Sequence, residues 1–221
     1  MRARLERATG ARFVLIRDRT LLTAEHLASE RVARVFLPHW SYIIPASVYE
    51  AVECVVFHMT DLPFGRGGSP LQNLIARGIE ETKISALKCV KELDAGPVYM
   101  KVPMRLDGTA EEILSRSYEL VEGMIVDLVK RNPSPRPQEG APTVFRRRTP
   151  EDGRLDDCGS LREVYDRIRM LDAEGYPRAF ADVGGFRVEF QKAKLEDGRV
   201  SAEVRIVPRP PKTGKEGSHG K

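Results

Sequence analysis

The first two thirds of the chain alternate short apolar segments with helix-like ones, and this alternation limits the possible folds more than any other feature. Residues 33–37 and 54–57 predict buried strands, and residues 46–51 between them predict a helix. Further strands are predicted over residues 83–90 and 96–101. Strands that alternate with helices in this way are typical of an α/β fold.

Capping residues indicate where several helices begin. Thr109 and Glu112 form a capping box before a long amphipathic segment. Ser69 is predicted to cap a helix whose first residue is Pro70. Near the start of the chain, residues 12–16 predict a short strand.

Proline and glycine are concentrated in residues 132–142, which predicts an extended linker. We therefore expect three parts. The main α/β domain covers residues 1–141, a small α+β appendage covers residues 142–207, and a basic, disordered tail covers residues 208–221. The appendage is expected to contain one helix and a hairpin that turns at residues 196–198.

Composition excludes several classes of protein. The chain has 221 residues, of which 41% are hydrophobic and 31% charged, and these values are those of a globular protein. No apolar run approaches the roughly 20 residues of a membrane helix, and the three cysteines need no disulfide framework, so we expect a cytoplasmic protein. The net charge is +4, but residues 208–221 contribute +3 of it, so the rest of the chain is nearly neutral.

The segment of residues 55–70 is the strongest candidate for a functional site. A buried strand brings His58 to its carboxyl end, and a loop with Gly65, Gly67 and Gly68 follows. Ligands bind at that edge of open α/β sheets, and glycines let the backbone approach a ligand closely. A tight turn without function is the alternative interpretation.

Asp94 is a second candidate, because it enters a Gly-Pro turn after the next predicted strand. If that turn lies at the same sheet edge, Asp94 would pair with His58 and set its protonation state. The alternative is an ordinary turn aspartate. His39 and Asp61 could join them in a metal site, but the spacing is irregular, so we expect no metal.

Together these motifs resemble the catalytic core of the formyltransferases that use 10-formyltetrahydrofolate. This family includes methionyl-tRNA formyltransferases and sugar-nucleotide N-formyltransferases, and its signature is Asn-x-His, then Leu-Pro-x-x-Arg-Gly-x-x-Pro, then Asp-x-Gly. The matching residues are His58, Leu62, Pro63, Arg66, Gly67, Pro70, Asp94 and Gly96. The resemblance implies a Rossmann-like, mostly parallel sheet that here lacks its first strand, with residues 1–141 as the catalytic domain.

The resemblance also implies a reaction, the transfer of a formyl group from 10-formyltetrahydrofolate to an amine. His58 would stabilise the tetrahedral oxyanion and assist proton transfer, and Asp94 would set the protonation of His58. The loop residues that would support this chemistry are Gly65, Arg66, Gly67 and Gly68. The residues expected to bind the donor are Trp40, Ser41, Ile43 and Leu93. Core packing is the alternative role of the segment around Trp40.

One position departs from the family signature. Val56 stands where the family has asparagine, so the usual amide donor to the oxyanion is absent. Losing such a donor costs about 3 kcal/mol in the transition state. His39, or the backbone amides of Gly67 and Gly68, are the candidate replacements.

The acceptor is the least determined part of this prediction. Residues 141–207 contain 13 basic and 13 acidic residues, and a surface that neutralises RNA phosphates would be more basic. We therefore expect a small-molecule amine, an amino sugar carried on a nucleotide. Methionyl-tRNA is the alternative acceptor, and a non-catalytic folate- or nucleotide-binding module is the alternative of another class. We expect no membrane partner, and the sequence leaves a homodimer open.

Overall fold

The computed structural model describes residues 1–209 of the chain. The chain divides into two compact units, Met1–Arg148 and a second unit that begins at Thr149. The helices of the first unit are α1 (Arg2–Thr9), α2 (Ala24–Ser29), α3 (Ala46–Ala51), α4 (Pro70–Ile75) and α5 (Ala110–Arg131). Its strands are β1 (Arg34–Leu37), β2 (Glu53–His58), β3 (Arg66–Gly67), β4 (Glu81–Lys88), β5 (Val98–Arg105) and β6 (Val144–Phe145).

The main sheet of the first unit has the strand order β1-β2-β4-β5. β1 and β2 are parallel, whereas β4 pairs antiparallel with both β2 and β5. The α/β class predicted from the alternation is confirmed, and the sheet is mixed. Its parallel pair contains β2, the strand that ends at His58.

Buried apolar side chains join this sheet to the long helix α5. Val55 of β2 and Ile84 of β4 are fully buried, as are Ile113 and Leu128 of α5. The capping box that begins α5 is confirmed, because Thr109 and Glu112 exchange side-chain and backbone hydrogen bonds. Burying this apolar stripe fixes the helix against the sheet.

Two local predictions are wrong. Residues 12–16 form no strand, because the amide of Phe13 donates to the Glu6 side chain and the Phe13 ring packs on Phe36 of β1. Ser69 precedes α4 as predicted, but its side chain does not cap the helix. The Ser69 hydroxyl instead accepts a hydrogen bond from the amide of Arg148.

The predicted linker is part of the first unit. Arg136 pairs with Val98, and β6 pairs with β3, so residues up to Arg148 remain with the main sheet. The chain therefore divides after residue 148 and not after Ala141.

The second unit has one described α-helix, a short 3-10 helix (Pro150–Gly153) and one described sheet. Its elements are α6 (Leu161–Arg169), β7 (Ala179–Val183), β8 (Phe186–Glu196) and β9 (Arg199–Pro208), with the sheet order β7-β8-β9. The predicted hairpin is present as β8 and β9. The predicted tail begins too early, because Pro208 ends β9 and the Arg209 amide donates to Gly185. The rest of that tail, residues 210–221, lies outside the described residues.

None of the helices described here is long and apolar enough to cross a membrane.

Candidate active site

His58 lies buried at the end of β2, opposite Ser85 of β4. Its Nε2 is 2.7 Å from the carbonyl oxygen of Gly65. Because a carbonyl oxygen only accepts, Nε2 carries a hydrogen in this arrangement. The other ring nitrogen, Nδ1, is therefore the one that is oriented toward Asp94.

Asp94 lies beside His58, as the sequence predicted. Its Oδ2 is 3.6 Å from Nδ1 of His58, which is too long for a hydrogen bond but close enough for an ion pair when the ring is protonated. The same oxygen accepts a hydrogen bond of 2.9 Å from the amide of Gly67. Asp94 has a φ of 52°, a left-handed conformation that turns its side chain into this contact. The catalytic role of the pair remains a prediction.

The glycines of the loop are required by close packing against the segment around β6. A Cβ on Gly67 would lie 2.5 Å from the carbonyl oxygen of Phe145, and one on Gly68 would lie 2.7 Å from Cα of Arg147. A Cβ on Gly65 would lie 2.6 Å from the Phe145 ring. The loop is therefore held against β6, which gives its glycines a structural role.

The two loop amides predicted to replace the missing oxyanion donor already have hydrogen-bond partners. The amide of Gly67 donates to Asp94, and the amide of Gly68 donates to the carbonyl oxygen of Phe145. Asn73 of α4 fixes this arrangement by donating to the carbonyl oxygens of Gly68 and Arg146. Both amides are hydrogen-bonded within this chain, and their predicted role at the oxyanion stays a prediction.

His39 does not join this arrangement either. Its ring lies 4.1 Å from the Tyr118 ring, and Nε2 lies 3.2 Å from the Ser117 hydroxyl, so it packs against α5. Burial lowers the pKa of His39. His39 is not among the residues that line the cleft next to Asp94, and its predicted role at the oxyanion stays a prediction.

An apolar cleft of about 350 Å³ lies beside Asp94. Its wall includes Val56, Trp40, Ile43 and Leu93, of which Ile43 is 79% exposed and Leu93 60% exposed. Three of the four residues predicted to bind the donor thus line this cleft, whereas Ser41 does not. The indole Nε1 of Trp40 is buried and has no hydrogen-bond partner among the described residues.

Asp61 anchors the start of the loop. Its carboxylate forms ion pairs with Lys101 at 2.5 Å and Lys83 at 2.9 Å. Burial alone would raise its pKa, but the hydrogen bonds from the two lysines outweigh burial and lower the pKa of Asp61. Within residues 1–209, no group of three or more His, Cys, Asp or Glu side chains could hold a metal ion.

Gln138 is a site residue that the sequence analysis missed. Its side chain contacts Arg66 on the glycine-rich loop and the backbone of Asp94 and Gly96. The proline-rich composition of the segment indicated irregular structure but not its docking on these loops. The dipeptide Pro137-Gln138, a long polar side chain after a rigid residue, was the available signal.

A solved structure of methionyl-tRNA formyltransferase from Clostridium thermocellum matches this fold. The two chains are 44% identical, the TM-score is 0.89, and the match covers 94% of this chain and 92% of that chain. The chain belongs to the formyltransferase family. Members of this family use 10-formyltetrahydrofolate as the formyl donor, as the resemblance implied.

Other comparisons agree with membership of the formyltransferase family. The family model described as methionyl-tRNA formyltransferase, C-terminal domain, matches residues 150–207, which lie in the second unit. Methionyl-tRNA formyltransferase of Methylobacterium nodulans is 29% identical over 80% of this chain and 64% of the relative. The chain spans between about half and two thirds of the length of the curated relatives it matches.

The comparisons overturn the prediction of a nucleotide-linked amino sugar as acceptor. A sugar N-formyltransferase from Shewanella shares the fold, with a TM-score of 0.61 over 85% of this chain and 79% of that chain, but only 19% identity. The much higher identity to a methionyl-tRNA formyltransferase, and the matching C-terminal domain model, favour the alternative acceptor. The sugar prediction relied on the balanced charge of the second unit, and overall charge did not identify the acceptor.

Proposed function

We propose that this chain transfers a formyl group from 10-formyltetrahydrofolate to the amino group of methionyl-tRNA. The observation that carries the proposal is a His58–Asp94 pair whose aspartate lines an apolar cleft, in a chain 44% identical to a methionyl-tRNA formyltransferase over 92% of that protein. The proposed acceptor belongs to translation, so the cytoplasmic location expected from the sequence is part of the same proposal.

The cleft fits a flat, largely apolar ring system of the kind that the donor carries. Ile43 and Leu93 present exposed apolar side chains on its wall, and such exposure is common at ligand sites. The buried Nε1 of Trp40 has no acceptor within residues 1–209, and a ring heteroatom or carbonyl oxygen would satisfy it. When it is bound there, the donor supplies the formyl group.

His58 and Asp94 would take the proton that the acceptor amine loses as its nitrogen bonds to the formyl carbon. They would return that proton to the donor nitrogen as the bond between this nitrogen and the formyl carbon breaks. Nε2 of His58 is held by the carbonyl oxygen of Gly65, so Nδ1 is the nitrogen that exchanges a proton. The Asp94 carboxylate, kept in place by the Gly67 amide, stabilises the positive charge that the ring then carries. Acid–base assistance of this kind contributes about 10²- to 10⁴-fold in rate.

An acceptor panel tests the proposal. The chain is mixed with 10-formyltetrahydrofolate and, in separate reactions, methionyl-tRNA, uncharged tRNA, free methionine or nucleotide-linked amino sugars, and release of tetrahydrofolate is measured. We expect release only with methionyl-tRNA. Release with an amino sugar alone would overturn the choice of acceptor, and donor binding without release in any reaction would support a non-catalytic binding module instead.

A further inference from the structure

The segment of residues 132–148, here called the strap, runs past both loops of the candidate site. Arg136 and Val98 exchange two backbone hydrogen bonds, of 2.7 and 2.9 Å. Further along, the carbonyl oxygen of Thr143 accepts a hydrogen bond of 2.9 Å from the amide of Arg66. The strap is therefore attached on both sides of Gln138, and this limits where the Gln138 side chain can lie.

The amide of Gln138 bridges the two loops with four hydrogen bonds. Its Oε1 accepts from Nε and Nη2 of Arg66 at 3.2 and 2.8 Å. Its Nε2 donates to the carbonyl oxygens of Asp94 and Gly96, both at 2.8 Å. A guanidinium only donates and a carbonyl only accepts, so the orientation of the amide is fixed by its partners.

These bonds close a ring of contacts around the Asp94 carboxylate. Gln138 joins Arg66, Arg66 is followed by Gly67, and the amide of Gly67 donates to Oδ2 of Asp94. The backbone of Asp94 returns to Gln138. Since Oδ2 is also the atom that faces His58, the position of the carboxylate depends on both loops being held together.

We propose that Gln138 is a positioning residue for formyl transfer. Its amide holds the Asp94 turn on the glycine-rich loop and so keeps the carboxylate beside Nδ1 of His58. The expected effect of Gln138 on the rate of formyl transfer rests on the proposed function. The claim that Gln138 positions the Asp94 carboxylate does not depend on that function, because it concerns only hydrogen bonds within this chain.

Replacement of Gln138 by glutamate separates positioning from simple structural support. In Gln138→Glu, the carboxylate still accepts from Arg66, and more strongly because both groups are charged. It has no hydrogen to give, so it faces the carbonyl oxygens of Asp94 and Gly96 without bonding them. Gln138→Ala removes both sets of bonds. The glutamate variant keeps the contact between the strap and Arg66 but loses the hydrogen bonds that position Asp94. If Gln138 only holds the strap on Arg66, the glutamate variant therefore remains functional.

The test measures steady-state formyl transfer and thermal unfolding of the wild type, Gln138→Glu and Gln138→Ala, with Gln191→Ala as a control. Gln191 bonds an exposed glutamate on β9, within the second unit. We expect kcat to fall about 10- to 100-fold in both Gln138 variants, since a misplaced catalytic group costs rates of this order. We expect the KM for the donor to stay within about twofold, and Gln138→Glu to unfold close to the wild-type temperature.

A kcat within about twofold of wild type in Gln138→Glu would overturn the proposal, and so would a loss of kcat that only follows loss of folded protein. If the wild type transfers no formyl group, the proposed function fails, and the ¹⁵N chemical shifts of the His58 imidazole decide whether Gln138 positions the Asp94 carboxylate. Shifts that change in Gln138→Glu but not in Gln191→Ala would support positioning. Unchanged shifts would contradict it.

Discussion

Val56 lies in the wall of the cleft and has no side-chain hydrogen-bond donor for a reacting carbonyl group. The side chain lies two residues before His58 on β2 and lines the cleft, where the formyltransferase signature has asparagine. The amides of Gly67 and Gly68 are both bonded within the loop. The oxyanion role predicted for His58 stays a prediction, because its Nε2 donates to the carbonyl oxygen of Gly65 and its Nδ1 faces Asp94.

Restoring the amide should therefore accelerate the reaction. We expect Val56→Asn to raise kcat about 10-fold or more, because one well-placed donor contributes about 10²- to 10³-fold. Val90→Asn, which changes another valine that lines the cleft, is the control and should give no increase. An unchanged or lower kcat in Val56→Asn, with the protein still folded, would mean that the oxyanion forms elsewhere.

Gly96 is the residue that most strictly sets the shape of the Asp94 turn. A Cβ there would lie 1.8 Å from the carbonyl oxygen of Lys88, a backbone atom that cannot easily move. We expect Gly96→Ala to lower the free energy of unfolding by about 2 kcal/mol or more, as overpacking does. Gly123→Ala in α5 meets no atom within 4 Å and should raise stability by up to about 1 kcal/mol. Urea unfolding of both variants measures the difference, and equal effects would contradict the packing argument.

At the scale of secondary-structure elements, local sequence predicted what local interactions determine. The capping box at Thr109 starts α5, and the apolar run before His58 forms β2, because both depend on neighbours in sequence. Residues 12–16 have the composition of a strand but form none, because a strand also needs a neighbouring strand to pair with, and composition does not show whether one is present. The docking of Gln138 depends on loops more than 40 residues away, which composition and spacing do not encode.

Asp61, in the loop that follows β2, forms ion pairs with Lys83 of β4 and Lys101 of β5, and the strength of these ion pairs depends on pH. The lysines hold the pKa of Asp61 below its ordinary value despite burial, so ionised Asp61 stabilises the folded state. That contribution is complete above the unfolded pKa of about 3.9 and is lost as pH falls through the lower folded value.

We expect Asp61→Asn to lower the free energy of unfolding near neutral pH by about 1 kcal/mol or less, since the pair is partly exposed. The difference between variant and wild type should shrink at about pH 3, where wild-type Asp61 is becoming protonated. Asp197→Asn, in the turn between β8 and β9, is the control. Urea unfolding at the two pH values checks this, and a difference that grows in acid would contradict it.

At the scale of the whole molecule, charge must be considered separately for each unit. Residues 149–209 contain 11 basic and 13 acidic residues. Several of the arginines form ion pairs with carboxylates of the same unit. Asp182, for example, forms ion pairs with Arg154, Arg187 and Arg209. This unit therefore offers few cations to RNA phosphates, although it matches the C-terminal domain of methionyl-tRNA formyltransferases.

We accordingly expect tRNA binding with a weak dependence on salt. A plot of log affinity against log salt concentration should have a slope of about −3 or shallower, which corresponds to roughly three phosphate contacts. Filter binding over a range of salt concentrations measures it. A slope of about −6 or steeper would contradict this expectation.

Single-turnover formyl transfer to methionyl-tRNA tests the central claim most directly, because it reports the chemical step without product release. The wild type should form formylmethionyl-tRNA and release an equal amount of tetrahydrofolate. His58→Ala and Asp94→Asn should each slow that step by about 10²-fold or more, while His26→Ala on α2 leaves it unchanged. Wild-type rates in the His58 and Asp94 variants would contradict the claim that this pair performs the reaction.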